Sequence, residues 1–168
     1  TDSSAWSDRY QLHYPWVPLH HYFALKIKPS KQVPAELAGK VIMKYSDGTD
    51  EDGRAAKATT DGWYESRVRD FGMWWLDIDT IPPVIRSLQK NNANLGRAKQ
   101  ITFEVKDGQT GIGNFSGYLD GKWICFEQHR SKFFYEFDGH CPRGKHHLVF
   151  KAEDENGNES VFRLNFTR

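Results

Sequence analysis

Apolar residues in this chain recur mostly at every second position, in short runs cut by Pro, Gly and Asp-Gly pairs. A period of two is the signature of a strand with one buried face. Tyr10, Leu12 and Tyr14 alternate with polar residues before Pro15 and Pro18 interrupt them. Residues 19–28, LHHYFALKIK, place His21, Phe23, Leu25 and Ile27 on one face and Lys26 and Lys28 on the other. VPAEL predicts one helical turn opened by Pro34. Residues 40–45 predict a strand with Val41, Met43 and Tyr45 inward. A weak strand over 54–60, the turn Asp61-Gly62, and strands over 63–69 and 71–78 complete this half. The polar opening, residues 1–8, reads as frayed.

The stretch DFGMWWLDIDTIPPVI divides the chain. Its apolar half has strand length. Its second half holds Pro82 and Pro83, which fix their own φ and remove two backbone donors. Ladder pairing must stop there, so Asp79, Thr80, Pro82 and Pro83 are expected to form a stiff interdomain joint. The expected domains are residues 1–79, a β-sandwich or partial barrel, and residues 80–168.

Beyond the joint the spacing becomes regular. Strands are expected over 84–88, 101–105, 114–119, 122–127, 132–137, 146–152 and 160–166, with a polar loop at 91–97. Asp120-Gly121 is a hairpin signal, and Glu155-Asn156-Gly157-Asn158 a second turn. Short strands near ten residues apart argue for an immunoglobulin-like sandwich. The fold class is therefore all-β, two small β-sandwich domains in tandem. No helix-length periodicity appears in the sequence.

Formal net charge is +1, and no basic run occurs, which excludes nucleic acid as a main partner. No apolar stretch approaches the roughly 20 residues of a membrane-spanning helix. The chain opens with neither a signal peptide nor Met, so it reads as processed or as part of a longer protein. Cys125 and Cys141 are the only cysteines; Cys125 is expected to be buried, with no bond between the two.

Candidate chemistry is sparse. His20-His21 and His146-His147 are adjacent pairs, and neighbours on a strand point to opposite faces, which splits each pair. The acidic run 46–53, SDGTDEDG, lacks EF-hand spacing and reads as a hairpin tip. Asp107 and Asp154 offer a calcium reading, and a plain turn is the simpler one. GQTGIG lacks the Lys-Ser/Thr ending of a phosphate loop. No GxSxG elbow occurs. No cofactor is expected in this chain. Trp63, Tyr64, Trp74, Trp75 and Trp123 are candidates for a sugar-stacking platform, since aromatic rings offer flat apolar faces with a polar tip. Core packing competes, because alternation buries half of any aromatic run. Trp74 and Trp75 must face opposite ways, so one is expected to cover the neighbouring domain.

The segments RVRDFGMWWLDIDTIPPVI, ITFEVKDGQTGI, YLDGKWICFE, FFYEFD and GKHHLVFKAEDENGN, with PLHHYFALKIKP upstream, carry a resemblance. From about Trp16 onward the chain resembles the C-terminal β-rich region of Gram-negative lysostaphin-type zinc metallopeptidases, which act as peptidoglycan endopeptidases. That family's zinc motifs, HxxxD and HxH, are absent here, so no catalytic or metal residue carries over. The resemblance implies a non-catalytic accessory region, exported to the periplasm or cell envelope. It would position an upstream hydrolase domain of the same polypeptide. The alternative is a carbohydrate-binding module for peptidoglycan or another glycan. A third reading is an unrecognised hydrolase. An exposed pair of coplanar aromatics would favour the module, convergent titratable groups the enzyme, and fully buried tryptophans the scaffold.

Overall fold

A computed structural model of the protein describes residues 5–168. The chain divides into two compact units, Thr1–Ile81 and Pro82–Arg168. Both are built from strands, and among the described residues the fold is all-β, with one short 3-10 helix at Ala35–Lys40. The strands of the first unit are β1 (Tyr10–Leu12), β2 (Phe23–Ile27), β3 (Val41–Ser46), β4 (Glu51–Ala55), β5 (Lys57–Ala58), β6 (Tyr64–Val68) and β7 (Gly72–Ile78). They form two sheets, ordered β1-β7-β3-β4 and β2-β6-β5.

Alternation fixes the core of this unit. Val41 and Met43 of β3, Trp74 and Leu76 of β7, Tyr64 and Val68 of β6, and Ile27 of β2 are buried together. Trp75 and Ile42 point to the other face of their sheet, yet they are also buried. The Arg9 guanidinium lies over the Trp75 indole at 4.3 Å. Strand β2 is shorter than the sequence predicts. Its partner β6 ends at Val68, opposite Phe23, so residues 19–22 have nothing to pair with and run as bends. His20 and His21 are therefore both exposed rather than split across a strand.

The expected frayed opening falls partly on residues 1–4, which lie outside the described residues. The part that follows is tied down. The Trp6 N–H donates to the Leu76 carbonyl (2.9 Å), and the Leu76 N–H donates to Ser7 Oγ (2.8 Å). The acidic run forms the β3–β4 hairpin tip, where Asp47 Oδ1 accepts the Thr49 and Asp50 N–H groups. At the joint, the Asp79 N–H donates to the Lys40 carbonyl, and its carboxylate accepts the Ile81 N–H at 3.0 Å. Asp79 is fully buried, whereas Thr80, Ile81 and Pro82 are exposed.

The second unit holds β8 (Val84–Ser87), β9 (Ala93–Asn94), β10 (Gln100–Lys106), β11 (Ile112–Leu119), β12 (Lys122–Ile124), β13 (Glu127–His129), β14 (Lys132–Glu136), β15 (Lys145–Asp154) and β16 (Glu159–Thr167). One sheet runs β13-β14-β10-β8 and the other β12-β11-β15-β16-β9, an immunoglobulin-like sandwich. Its centre is aromatic: Phe103 stacks on Phe150 at 4.7 Å, and Phe126 and Phe133 pack around them. The run 122–127 is not one strand. Its first part pairs with β11 and its second with β14, so the chain changes sheets between them. That crossing buries Phe126 and turns Cys125 outward, against the expectation of a buried Cys125. Cys141 is the buried thiol, and both are free. The polar loop at 91–97 contributes β9, which pairs parallel to β16. Asp120 (φ 50°) and Gly121 (φ 81°) both take positive φ, the hairpin turn expected of Asp-Gly.

Gly117 of β11 lies directly under Phe126, where a Cβ would sit 2.4 Å from the ring. Phe126 is hemmed in by Phe103, Tyr135 and Phe150 and cannot swing aside. Gly117→Ala is expected to cost about 1–3 kcal/mol by overpacking. Urea unfolding should show a lower midpoint for the variant, and an unchanged midpoint would refute this packing.

Candidate functional site: an aromatic groove on the first unit

The aromatic residues singled out from the sequence separate by burial. Tyr64, Trp74 and Trp75 are buried, at 6%, 1% and 3% exposure, and so offer no face to a ligand. The platform expectation fails for these three because strand alternation and the cover over Trp75 put them inside. Trp63 is partly exposed in the first unit, and Trp123 is exposed in the second.

A different aromatic pair is exposed. His13 takes a positive φ of 54°, and its Nδ1 accepts the Tyr14 N–H at 2.7 Å. Its ring stacks on Phe71 at 4.9 Å. The chain therefore leaves β1 sharply. The Val17 N–H then donates to the Tyr14 carbonyl at 3.1 Å, closing a four-residue turn with Pro15 second. Proline pre-sets φ for that position. The turn lays the Trp16 ring on Tyr14, with centroids 4.7 Å apart and planes 14° from parallel. Trp16 is 74% exposed and Tyr14 56%.

This pair walls an open groove of about 590 Å³, lined also by Arg9, Gln11, Asp47 and Met73. Backbone N–H groups of Asp50 and Thr49 hold the Asp47 carboxyl below its ordinary range, so it stays ionised. Its Oδ1 takes both of those bonds, which leaves Oδ2 as an acceptor for a ligand hydroxyl. The groove thus joins a flat apolar face to a small set of donors and acceptors, which is the make-up of a binding site rather than of a core. Sequence reasoning missed Tyr14 and Trp16 because Pro15 was read only as a strand breaker. The usable signal was the triplet Tyr-Pro-Trp.

The second unit has a polar cleft of about 630 Å³, lined in part by Asp120, Lys145, His146, His147 and Asn165. Its titratable groups hold the fold. His146 Nδ1 meets Asp120 Oδ2 at 2.7 Å, and its Nε2 meets the Pro142 carbonyl at 2.7 Å. Both partners only accept, so the ring satisfies both by carrying two protons. Burial opposes that charge, but the Asp120 hydrogen bond, the Pro142 carbonyl and the Asp120 charge outweigh it and raise the His146 pKa. Asp120 shifts the other way. Burial raises its pKa, and the His147 N–H, His146 and the nearby positive charge lower it further than burial lifts it. An imidazolium with both N–H groups engaged is no general base. His147 Nδ1 lies 2.8 Å from Asn165 Oδ1.

Two more carboxylates organise turns. Asp107 Oδ2 accepts the N–H groups of Gln109, Thr110 and Gly111. Asp154 Oδ1 accepts those of Asn156 and Asn158, and Oδ2 accepts the Asn158 side chain. The Asp107 and Asp154 carboxylates lie within 4.8 Å of each other. At the opposite end of β10, Asp138 accepts from the Tyr135 hydroxyl and meets the ring and backbone N–H of His140, and these bonds hold its carboxyl at about 2.

The fold and groove define the class: a tandem all-β sandwich whose first unit carries an exposed aromatic site. Residues 1–79 are similar to the Zu5-like domain. No curated protein matches the chain. Among solved structures, the chain shares 12% identity with an endo-β-1,4-mannanase from Thermotoga petrophila at a TM-score of 0.44, over 73% of this chain and 29% of that one. It shares 14% identity with fibronectin(III)-like modules of Clostridium thermocellum CbhA at a TM-score of 0.41, over 99% of this chain and 91% of that one.

The Asp120–His146 pair gives the second unit a defined pH response. The raised His146 pKa stabilises the fold fully below the unfolded value of about 6.5, and this is lost as pH rises through the higher folded value. The lowered Asp120 pKa adds stability above the unfolded value of about 3.9, lost as pH falls through the lower folded value. Urea unfolding of the protein from pH 5 to 9 should show stability declining above pH 6.5. In His146→Gln that decline should flatten, and an identical decline in the variant would refute the assignment.

Proposed function

We propose that this chain is a non-catalytic accessory region of an exported cell-wall hydrolase and that its first unit binds glycan. The stacked, exposed Tyr14–Trp16 pair beside polar groups is the observation that carries this reading. A pyranose presents a face of C–H groups that covers an aromatic ring, while its hydroxyls need donors and acceptors at the edge. Trp16 supplies the ring. Gln11 and Asp47 stand along the groove for the hydroxyls. Bond-breaking chemistry falls to an upstream domain of the same polypeptide, of the lysostaphin-type zinc class that the sequence resembles. This chain then needs no cofactor of its own, and its place of action is the periplasm or cell envelope, on peptidoglycan.

A purely scaffolding role is the competing reading, and it has no use for a tryptophan held open on a turn. Co-sedimentation with purified sacculi separates the two. The protein is expected to pellet with sacculi and to release no fragments, with or without zinc. Tyr14→Ala and Trp16→Ala should each lose about 1 kcal/mol of binding, roughly fivefold in affinity. Trp123→Ala should bind as the parent does. Equal binding by the Trp16 variant, or chelator-sensitive release of muropeptides, would overturn the proposal.

A further inference from the structure

The first unit has a second cavity, of about 280 Å³, at the open side of its sandwich. Residues 10–12 and 25–28 line it, together with Trp63 and Trp74. Strand β1 supplies residues 10–12 and strand β2 residues 25–27, with Lys28 following directly, and each strand is the outermost of its sheet. Successive side chains of a strand point to opposite faces, so one face alone cannot line a cavity with consecutive residues. The strand edges themselves therefore form part of the wall. Such an edge leaves alternate N–H and C=O groups without a ladder partner.

The interior of the cavity is apolar. Ile27 and Trp74 are almost fully buried beneath it, and Tyr10 and Trp63 stand partly exposed at its lips. Among the described residues, Lys26 and Lys28 are the only charged ones lining it, and no carboxylate does. Lys26 already meets Glu65 at 3.3 Å, which leaves Lys28 as the main source of positive charge.

The geometry points to a docking site for an extended, acidic polypeptide segment of a partner protein, added as a strand to one of these edges. Main-chain bonds along the edge would give affinity, apolar side chains at alternate positions would enter the cavity, and carboxylates would meet Lys28. A second copy of this chain pairing through its own β2 edge is the poorer occupant, because it would bring lysines against lysines. The site shares Gln11 with the Tyr14–Trp16 groove but no aromatic ring, so the Trp16 variant tests the glycan reading and the Lys28 variant tests this one.

The test is an NMR titration of the isotope-labelled full chain with an acetylated, amidated octapeptide of alternating glutamate and valine. Amide shifts and slowed solvent exchange are expected at residues 10–12 and 23–28. N-methylation of alternate peptide amides should abolish binding. Lys28→Glu should weaken it at least fivefold, and a lysine–valine peptide should restore it. Three outcomes would overturn the proposal: no shift at millimolar peptide, shifts confined to other residues, or undiminished binding of the N-methylated peptide. Concentration-dependent self-association through the same amides would overturn the choice of occupant.

Discussion

A strand gives its side chains only two directions, and much of this protein follows from that restriction. A unit of about 80 residues encloses little volume relative to its surface, so a few large side chains must supply most of its core. Phe103, Phe133 and Phe150 do so in the second unit, and Trp74 with Met43 and Leu76 in the first. Each occupies an inward position of its strand. Any aromatic residue on a strand is thereby committed to one face, and at an inward position it offers nothing to a ligand.

The groove arises where the chain leaves the ladder. His13 breaks from β1 with a positive φ, Pro15 sets the next turn, and Trp16 comes to rest on Tyr14 instead of in the core. The histidines show the reverse relation. His146 points inward from β15 and is fixed between two acceptors, which commits its protons to structure. Surface exposure and ionisation state thus both trace to where each residue falls relative to the strand period.

That period made most strands legible in advance. β10 and β16 follow the alternation of Phe103 and Leu164 with polar neighbours, and β3, β7 and β15 carry Val41, Trp74 and Leu148 as apolar residues at every second position. What alternation leaves open is partnership. Nothing in LHHY shows that β6 ends opposite Phe23, and nothing in KWICFE shows that the chain changes sheets after Ile124. Cys125 was misplaced for the same reason. Alternation requires one of Trp74 and Trp75 to face away from the core without saying which; it is Trp75, and its Arg9 cover comes from a segment far away in sequence. The exposed pair escaped notice because Pro15 reads first as a strand breaker, and because the positive φ at His13, a non-glycine residue, leaves no mark in composition.

The central claim is that glycan meets the protein at Trp16. Each of the six tryptophans carries one indole N–H, which makes the claim directly measurable. On titration with a tetramer of β-1,4-linked N-acetylglucosamine, the Trp16 indole signal should move progressively, while those of buried Trp74 and Trp75 stay in place. A stationary Trp16 signal, with Trp63 or Trp123 moving instead, would contradict the account.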